Sequence, residues 1–436
     1  MSTSRTPAAT GASPAPGPAA ARAASVPAAP CRACGAPLVT TVVDLGMSPP
    51  CESFLAADEL NRMEPFYPLH LEVCDRCFLV QLQSYIDRNE IFREYAYFSS
   101  YSDSWVAHAR AYVDAMVERL GLGPDSLVVE LASNDGYLLQ HVVERGVPAL
   151  GVEPALNVAQ AAIDRGVPTV TEFFGVELAR RLAAEHGHAD LIAGNNVLAQ
   201  VPDLHDFVGG IAVLLADDGV LTLEFPHLQR LLEGRQFDTI YHEHFSYFSF
   251  LTVTEILAGH GLAVFDVEEL PTHGGSLRVF ARKAGPRAAP TAAASELWER
   301  ERLLGYRTLE PYAAFGAAVE ETKRDLLSYL IEARRAGRVV AGYGAPGKGN
   351  TLLNYCGIRT DLLSFTVDRN PYKHGRFTPG THIPIFPVER IAEEKPDDIL
   401  ILPWNLRDEI VAQLDYVRAW GGRCVVPIPT VEVVLR

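Results

Sequence analysis

The chain has 436 residues and a formal charge of −16, from 38 basic and 54 acidic side chains. With 48% hydrophobic and 21% charged residues it is a globular protein with material for a large core, at a length that accommodates about two to four domains. The acidic balance excludes the basic footprint of a nucleic-acid binder, and no apolar run reaches the roughly 18 residues of a membrane-spanning helix.

Residues 1–30 are mostly Ala and Pro, with Arg5 and Arg22 as their only charges. Such a segment buries too little apolar surface to offset the entropy of ordering, so a disordered tail is expected. It lacks the continuous apolar stretch of a signal peptide. A cytoplasmic location with reduced cysteines is therefore the expectation. Of seven cysteines, four form two C-x-x-C turns, Cys31/Cys34 and Cys74/Cys77. Two such turns complete a tetrahedral Cys₄ site, the preferred coordination of structural zinc. Closed coordination leaves no position for water, so this metal holds structure. Cys51, Cys356 and Cys424 read as packed thiols.

A helix over about Ser104 to Leu120 precedes Ser126-Leu-Val-Val-Glu130-Leu-Ala132-Ser133-Asn134-Asp135-Gly136-Tyr137-Leu-Leu139. The latter reads as a buried strand, a turn of small residues and an amphipathic helix. About 20 residues on, a second strand ends in Glu153. An acid closing the second strand accepts hydrogen bonds from ribose hydroxyls, and a small-residue turn lets a ligand approach the backbone. The turn lacks G-x-G-x-x-G, and Glu130 would repel a phosphate but suits a cationic amino-acid ligand. S-adenosylmethionine (SAM) is thus favoured over NAD for this unit. Further strands follow at Asp190–Leu198, which carries Asn195 and Asn196, at Val220–Phe225 and at Ser276–Arg282.

Between them lies Tyr241-His242-Glu243-His244-Phe245-Ser246-Tyr247-Phe248-Ser249. Two imidazoles, a carboxylate and a phenol within four positions are the groups that move protons near neutral pH. The histidines are two apart, which excludes the H-E-x-x-H metal motif.

After an Ala/Pro-rich linker over Gly285–Ala294 and a helix over Glu310–Ala336, a strand leads into Gly342-Tyr-Gly344-Ala-Pro-Gly347-Lys348-Gly349-Asn350-Thr351. The turn satisfies G-x-G-x-x-G, whereas the Walker pattern fails because position 349 is Gly. A following strand ends in Asp368, with Arg369, Lys373, His374 and Arg376 beyond. Backbone N–H groups at a helix start together with Lys348 make an anion site. This unit is expected to hold a diphosphate-bearing nucleotide, either NAD or a nucleotide sugar.

In their order, the cysteine knuckles, VVELASNDGYLL, GVEP, GNNVLAQV, LEFPH, FDTIYHEHFSYFS, THGGSLRVFARK, GYGAPGKGNTLLN and VDRNPYKHGRFTPGTHIPI resemble the SAM-dependent C-methyltransferases that act on nucleotide-linked 4-keto deoxysugars. The resemblance implies an α/β architecture: a zinc-binding module (31–90), a class I SAM-binding domain (91–285) and a C-terminal Rossmann-like domain (286–436) that helps bind a usually dTDP-linked sugar. It implies SAM as methyl donor, with S-adenosylhomocysteine as product. It implies His244 as the base that removes the proton next to the ketone, with Tyr241 and Glu243 as neighbours that orient groups or stabilise charge. Members of the family often carry a second histidine where this chain has Gln200, which donates a hydrogen bond but exchanges no proton at neutral pH. The expected cofactor contacts are Glu130, Ala132, Ser133, Asn134, Asp135, Gly136, Glu153, Asn195 and Asn196. The expected substrate contacts are Gly344, Gly347, Lys348, Asn350, Asp368, Arg369 and Lys373. The competing reading is an NAD(P)-dependent oxidoreductase of sugar nucleotides that uses the GYGAPG loop.

Overall fold

The computed structural model describes residues 28–87 and 98–435, so most of the Ala/Pro-rich segment lies outside the described residues. Three sheets organise the chain. In the first, β1 (Thr40–Ser48), β2 (Tyr67–Val73) and β3 (Val80–Leu82) form an antiparallel meander. Its fourth strand comes from much later in the chain, at Ser246–Tyr247.

The second sheet starts with β4 (Val128–Leu131), β5 (Ala149–Val152) and β6 (Thr169–Val170), and continues with β7 (Ala189–Asn195) and β8 (Leu215–Pro226). β9 (Ser246–Tyr247) then leaves for the first sheet, and β10 (Leu262–Leu270) and β11 (Ser276–Lys283) complete the second. The order β10-β11-β8-β7-β4-β5-β6, with β11 antiparallel to both neighbours, is the class I methyltransferase arrangement. The chain reverses direction beside β4, so the C-terminal ends of β4 and β7 open the crevice where such sheets bind ligands.

The third sheet contains β12 (Val340–Tyr343), β13 (Thr366–Val367), β14 (Ile385–Phe386), β15 (Asp398–Ile401), β16 (Arg423–Val426) and β17 (Glu432–Leu435). Its order β14-β13-β12-β15-β16-β17 is Rossmann-like, with only β17 antiparallel. Its strands are short and buried, as expected of parallel strands covered on both faces.

The three units are not beads on a string. The helix Glu310–Arg335 lays Tyr312, Phe315, Val319, Leu326 and Leu330 into a core shared with Val42, Leu69 and Leu71 of the first sheet and with Leu400 and Leu402 of the third. Gly316 permits this contact, since a Cβ there would stand 2.6 Å from the Val42 carbonyl oxygen. The zinc-module residues Cys31, Leu38, Cys74 and Leu79 belong to the core of the second sheet.

The helix Ala292–Leu303, in the stretch expected to form the C-terminal unit, packs Ala294 and Leu297 into the core of the second sheet. Glu301, fully buried, explains why. It accepts hydrogen bonds from the Phe250 and Leu251 amides (2.9 Å each), which start the helix Phe250–Ala258, and lies 2.6 Å from His227 Nε2. Truncating one partner of such a buried cluster leaves several groups unpaired. Glu301→Ala should therefore lower the unfolding free energy by about 3–5 kcal/mol in urea titrations, and Glu301→Gln, which keeps an acceptor, by clearly less.

Candidate active site

The site forms where the three sheets meet, and its most rigid part is the pair of knuckles. Each reverses the chain in the same way. The Cys31 carbonyl accepts from the Gly35 amide (2.9 Å), and the Cys74 carbonyl accepts from the Phe78 amide (2.9 Å). Gly35 and Phe78 both take positive φ (72° and 60°), the second despite carrying a side chain. The four Sγ atoms lie within 4.8 Å of one another, and the Cys31–Cys77 and Cys34–Cys74 pairs are 3.5 Å apart. Tetrahedral zinc with Zn–S bonds of about 2.3 Å places sulfurs about 3.8 Å apart, so the cluster fits zinc.

At the end of β4 the turn Ala132–Gly136 alternates into left-handed backbone, with φ of 57° at Ala132, 49° at Asn134 and 76° at Gly136. Only the last is a glycine, which is why a glycine pattern was not visible there. Several buried polar atoms around this crevice have no partner within hydrogen-bonding distance among the described residues: Ser133 Oγ, Asn195 Oδ1 and Asn196 Oδ1. The buried Glu130 carboxyl has only the Tyr137 hydroxyl as a donor. Burial pushes the Glu130 carboxyl well above its ordinary pKa. Buried polar groups are rarely left unpaired, and a cluster of them at a strand-end crevice fits the ribose and amino-acid groups of SAM.

The remaining expected cofactor residues divide. Glu153, buried, accepts from the Asn134 amide (3.0 Å) and the Ala155 amide (2.9 Å), which fixes the turn against β5. Asn134 and Asp135 direct their side chains to the chain entering the helix Asp103–Leu120. Asn134 Oδ1 accepts from the Ser99 amide (2.9 Å), and Asp135 accepts from Ser100 Oγ (2.5 Å) and pairs with Arg165 (2.9 Å). These two side chains clamp protein to protein.

The Tyr241–Ser249 block folds over this crevice. Its strand β9 pairs with β3, Ser246 opposite Gln81 and Tyr247 opposite Val80. The Phe245 amide donates to the Ala199 carbonyl (2.7 Å), which brings the Leu198–Gln200 turn and half-buried Gln200 beside the block. His244 is 7% exposed, its ring centroid 4.2 Å from that of Tyr241 and 6.1 Å from that of Tyr247. Burial lowers its pKa to about 3, so its imidazole is neutral at physiological pH. His242 is also buried, but it packs edge-on against Tyr67 of β2.

Glu243 departs from expectation. It lies in the turn before β9, and its buried carboxyl feels Glu52 and Cys51. Burial first, and Glu52 second, raise its pKa to about 7.

The expected diphosphate cradle is divided in the same manner. The Ala345 amide donates to the Asp368 carboxylate (2.7 Å), and the Glu52 carboxylate sits at Gly347, where it also accepts from the backbone. Lys373 donates to the Ala345 carbonyl (2.8 Å) and lies 3.8 Å from Glu52. The protein's own carboxylates thus stand where a diphosphate was expected. Gly344 (φ 86°) packs on Pro403, and buried Asn350 donates to the Cys51 carbonyl (2.6 Å). Arg369 is exposed, 3.6 Å from Glu409. Lys348 turns into the central cleft, where its ammonium lies 4.6 Å over the Trp404 ring and bonds Asn405 Oδ1. Burial lowers the Lys348 pKa, and buried Asp238, itself raised to about 6, opposes that shift. Trp404 Nε1 donates to Asp238 (2.7 Å).

One group at this junction escaped the sequence reading. His273 (φ 54°) sits at the tip between β10 and β11, 3.1 Å from Asn196 Nδ2, with its ring 5.2 Å from Trp105. Its residue keeps an exposed edge, yet the cleft walls desolvate the ring, and its pKa falls to about 4 through desolvation and then Lys348. The next residue, Gly274, packs against Trp404. The signal was present in the H-G-G of THGGSLR, but a backbone requirement is invisible without the fold.

Comparison with known proteins gives the following. The family described as "C-methyltransferase C-terminal domain" matches residues 271–429, "Methyltransferase domain" matches 105–267, and "Putative zinc binding domain" matches 31–92. The chain is 38% identical to the C-methyltransferase NovU of Streptomyces niveus over 404 residues, covering 93% of this chain and 96% of that one. Among solved structures it is similar to magnesium protoporphyrin IX methyltransferase of Synechocystis PCC 6803 with bound SAM, at 19% identity over 42% of this chain and 82% of that one (TM-score 0.32). It is also similar to a SAM-dependent methyltransferase of Clostridium acetobutylicum, at 10% identity over 41% of this chain and 92% of that one (TM-score 0.33).

Two measurements probe this geometry. Glu130→Gln keeps the shape and leaves the fold intact, but removes the charge. Calorimetry should show S-adenosylhomocysteine binding weakened by roughly 10–100-fold, the range of a lost charge-assisted hydrogen bond; unchanged affinity would remove Glu130 from the cofactor contacts. For Glu243, the folded pKa near 7 exceeds the unfolded value near 4.5, so the folded state prefers the protonated carboxyl. That contribution is full below about pH 4.5 and is lost as pH rises through 7. The melting temperature of Glu243→Gln relative to the parent should therefore rise between pH 5 and pH 8.

Proposed function

The chain belongs to the deoxysugar C-methyltransferase family and is a SAM-dependent C-methyltransferase, and from that premise we propose that it methylates the carbon next to the ketone of a nucleotide-linked, in first place dTDP-linked, 4-keto deoxysugar. The observation that carries this reading is His244, a desolvated and neutral imidazole at the junction of the three sheets, beside a phenol and on the side of the crevice where Asn195 Oδ1 and Asn196 Oδ1 are unpartnered and the Glu130 carboxyl is buried.

The ketone makes the neighbouring C–H acidic. His244 takes that proton, forming an enolate on the sugar and an imidazolium on the protein. SAM supplies, when bound, an electrophilic methyl group. Ser133, Asn195 and Asn196 are the residues that hold it by satisfying otherwise unpaired atoms, together with the buried Glu130 carboxyl. A pKa near 3 makes His244 a weak base in the free protein. An anionic nucleotide diphosphate nearby favours the imidazolium and raises that value, so substrate binding itself prepares the base. Lys348, half-buried on the third unit's side of the cleft, carries the positive charge that favours the enolate oxygen. Gln200 offers an amide donor to the same oxygen. Tyr241, whose ring meets the His244 ring at a tilt of 39°, keeps that ring oriented by packing against it. Glu243 enters as a neighbour that shapes the loop, since its charge faces Glu52. Exposed Arg369, 3.6 Å from Glu409, is a cation within reach of a diphosphate, while Lys373 and Asp368 are engaged with the loop.

The oxidoreductase alternative loses ground on one observation. A pyrophosphate at the GYGAPG loop would have to displace the carboxylates of Asp368 and Glu52.

The test is isotopic. With a dTDP-4-keto deoxysugar in deuterated water and no SAM, the parent enzyme should exchange the hydrogen next to the ketone. His244→Asn should lose both exchange and methyl transfer by at least about 10²-fold, the usual contribution of a general base, while S-adenosylhomocysteine affinity stays within about twofold. Turnover near normal in that variant would remove His244 as the base.

A further inference from the structure

Arg32 occupies the x position next to Cys31 in the first knuckle, and its side chain leaves the metal site altogether. It donates from Nε to the Pro202 carbonyl (3.0 Å), from Nη1 to the Phe245 carbonyl (2.7 Å) and from Nη2 to the Leu82 carbonyl (2.9 Å). Its guanidinium lies 5.5 Å from the centre of the Phe245 ring. The backbone end is fixed as well: the Arg32 amide donates to Gln81 Oε1 (2.9 Å), while Gln81 Nε2 lies 3.1 Å from Cys31 Sγ. Among the described residues no carboxylate pairs with it.

The three carbonyls come from three segments far apart in the chain, and the Phe245 carbonyl also accepts from the Leu82 amide (3.0 Å). Leu82 ends β3, Pro202 follows the turn that carries Gln200, and Phe245 directly follows His244. The amide of Phe245 is held at the same time by the Ala199 carbonyl (2.7 Å). A half-buried guanidinium satisfied by neutral groups, the three carbonyls with Gln81 Oε1 and Ser246 Oγ at 3.5 Å, gains little stability for its desolvation. What the arrangement provides is direction, since a planar fork with five donors reaches three diverging acceptors where a lysine ammonium cannot. We propose that Arg32 is a positioning residue, which transmits the fixed geometry of the cysteine knuckle to the peptide following His244 and to the Gln200 turn. This rests on the reading of His244 as the base.

The test uses the full-length protein and the variants Arg32→Lys, Arg32→Met and His244→Asn. Four quantities are measured: zinc per chain, S-adenosylhomocysteine affinity, kcat and KM for methyl transfer, and SAM-independent hydrogen exchange in the keto sugar. For Arg32→Met, zinc near one per chain and cofactor affinity within about twofold are expected. Exchange and kcat should fall together by about 10²-fold, the penalty of a misplacement of about 1 Å, with a smaller change in KM. Arg32→Lys should recover only part of the rate, and alkylguanidinium salts should restore rate to Arg32→Met but not to His244→Asn. If either Arg32 variant keeps its zinc and also keeps parental kcat and exchange, the proposal is overturned. It is equally overturned if, for both variants, activity falls only in proportion to lost zinc. A His244→Asn protein that still exchanges normally would instead sink the base assignment, whatever the Arg32 variants do.

Discussion

A two-residue strand pairing holds the active centre together. Ser246 and Tyr247 leave the methyltransferase-type unit and join β3 as the edge of the first sheet. Without that pairing, the block with His244 would be a surface loop between the helices Leu228–Glu233 and Phe250–Ala258. With it, the block becomes the seam between the metal-bearing module and the SAM crevice. Two strand residues contribute few ladder bonds, and so short a ladder is not stable by itself. The seam depends on the buried contacts that flank it: Phe245, Phe248 and Tyr247 at no more than 5% exposure on one side, and the Arg32 fork on the other.

The buried acids around the cleft sort into two kinds by what satisfies them. Glu224 of β8 is fully buried, yet meets Arg278 at 2.7 Å, His108 at 3.0 Å and Thr272 at 3.0 Å, and these partners hold its carboxyl below the ordinary range against burial. Glu301 is likewise surrounded by donors. Glu130 of β4, with β7 between it and β8, has no cation beside it and only the Tyr137 hydroxyl as a donor, and burial pushes its carboxyl up. A folded chain gains little from so poorly satisfied a carboxyl, which is why Glu224 belongs to the fold and Glu130 is the one proposed to face the cofactor. Mere burial would have grouped them together.

This distinction also explains how much the sequence revealed. The knuckles, the strand–turn–helix units and the buried thiols were legible because each depends on local pattern: two C-x-x-C turns, runs of apolar residues, turns of small residues. His244 was legible through chemistry-bearing density in its block. The strand pairing of Ser246 and Tyr247 was not, because β3 lies about 165 residues earlier and no periodicity marks a two-residue strand. The same limit hid the roles of Asn134, Asp135 and Glu243. Their residue types suit a ligand site, and only the direction of each side chain assigns them to Ser99, Ser100 and Glu52. The packing of the helix Ala292–Leu303 on the second sheet was not legible either, because the buried Glu301 that ties it there is a single residue with no pattern around it.

The C-terminal unit shows how a fold can outlast the use its motif suggests. Its strand order and its G-x-G-x-x-G turn are those of a dinucleotide binder, and the acid at the end of β13 stands at the ribose position. That acid now accepts from the Ala345 amide, and Glu52 of the first module reaches across to Gly347. Both carboxylates exploit the same feature that would draw a phosphate, the positive end of the helix Gly347–Cys356. Turning an anion site into a joint between modules frees Lys348, one residue inside that helix, to face the cleft over Trp404. The glycines answer backbone demands of the joint itself: Gly344 takes φ of 86° against Pro403, and a Cβ on Gly347 would meet Glu52 and Cys51 within 3 Å. The motif thus remains readable in the sequence because the joint and the cradle place the same demands on the chain.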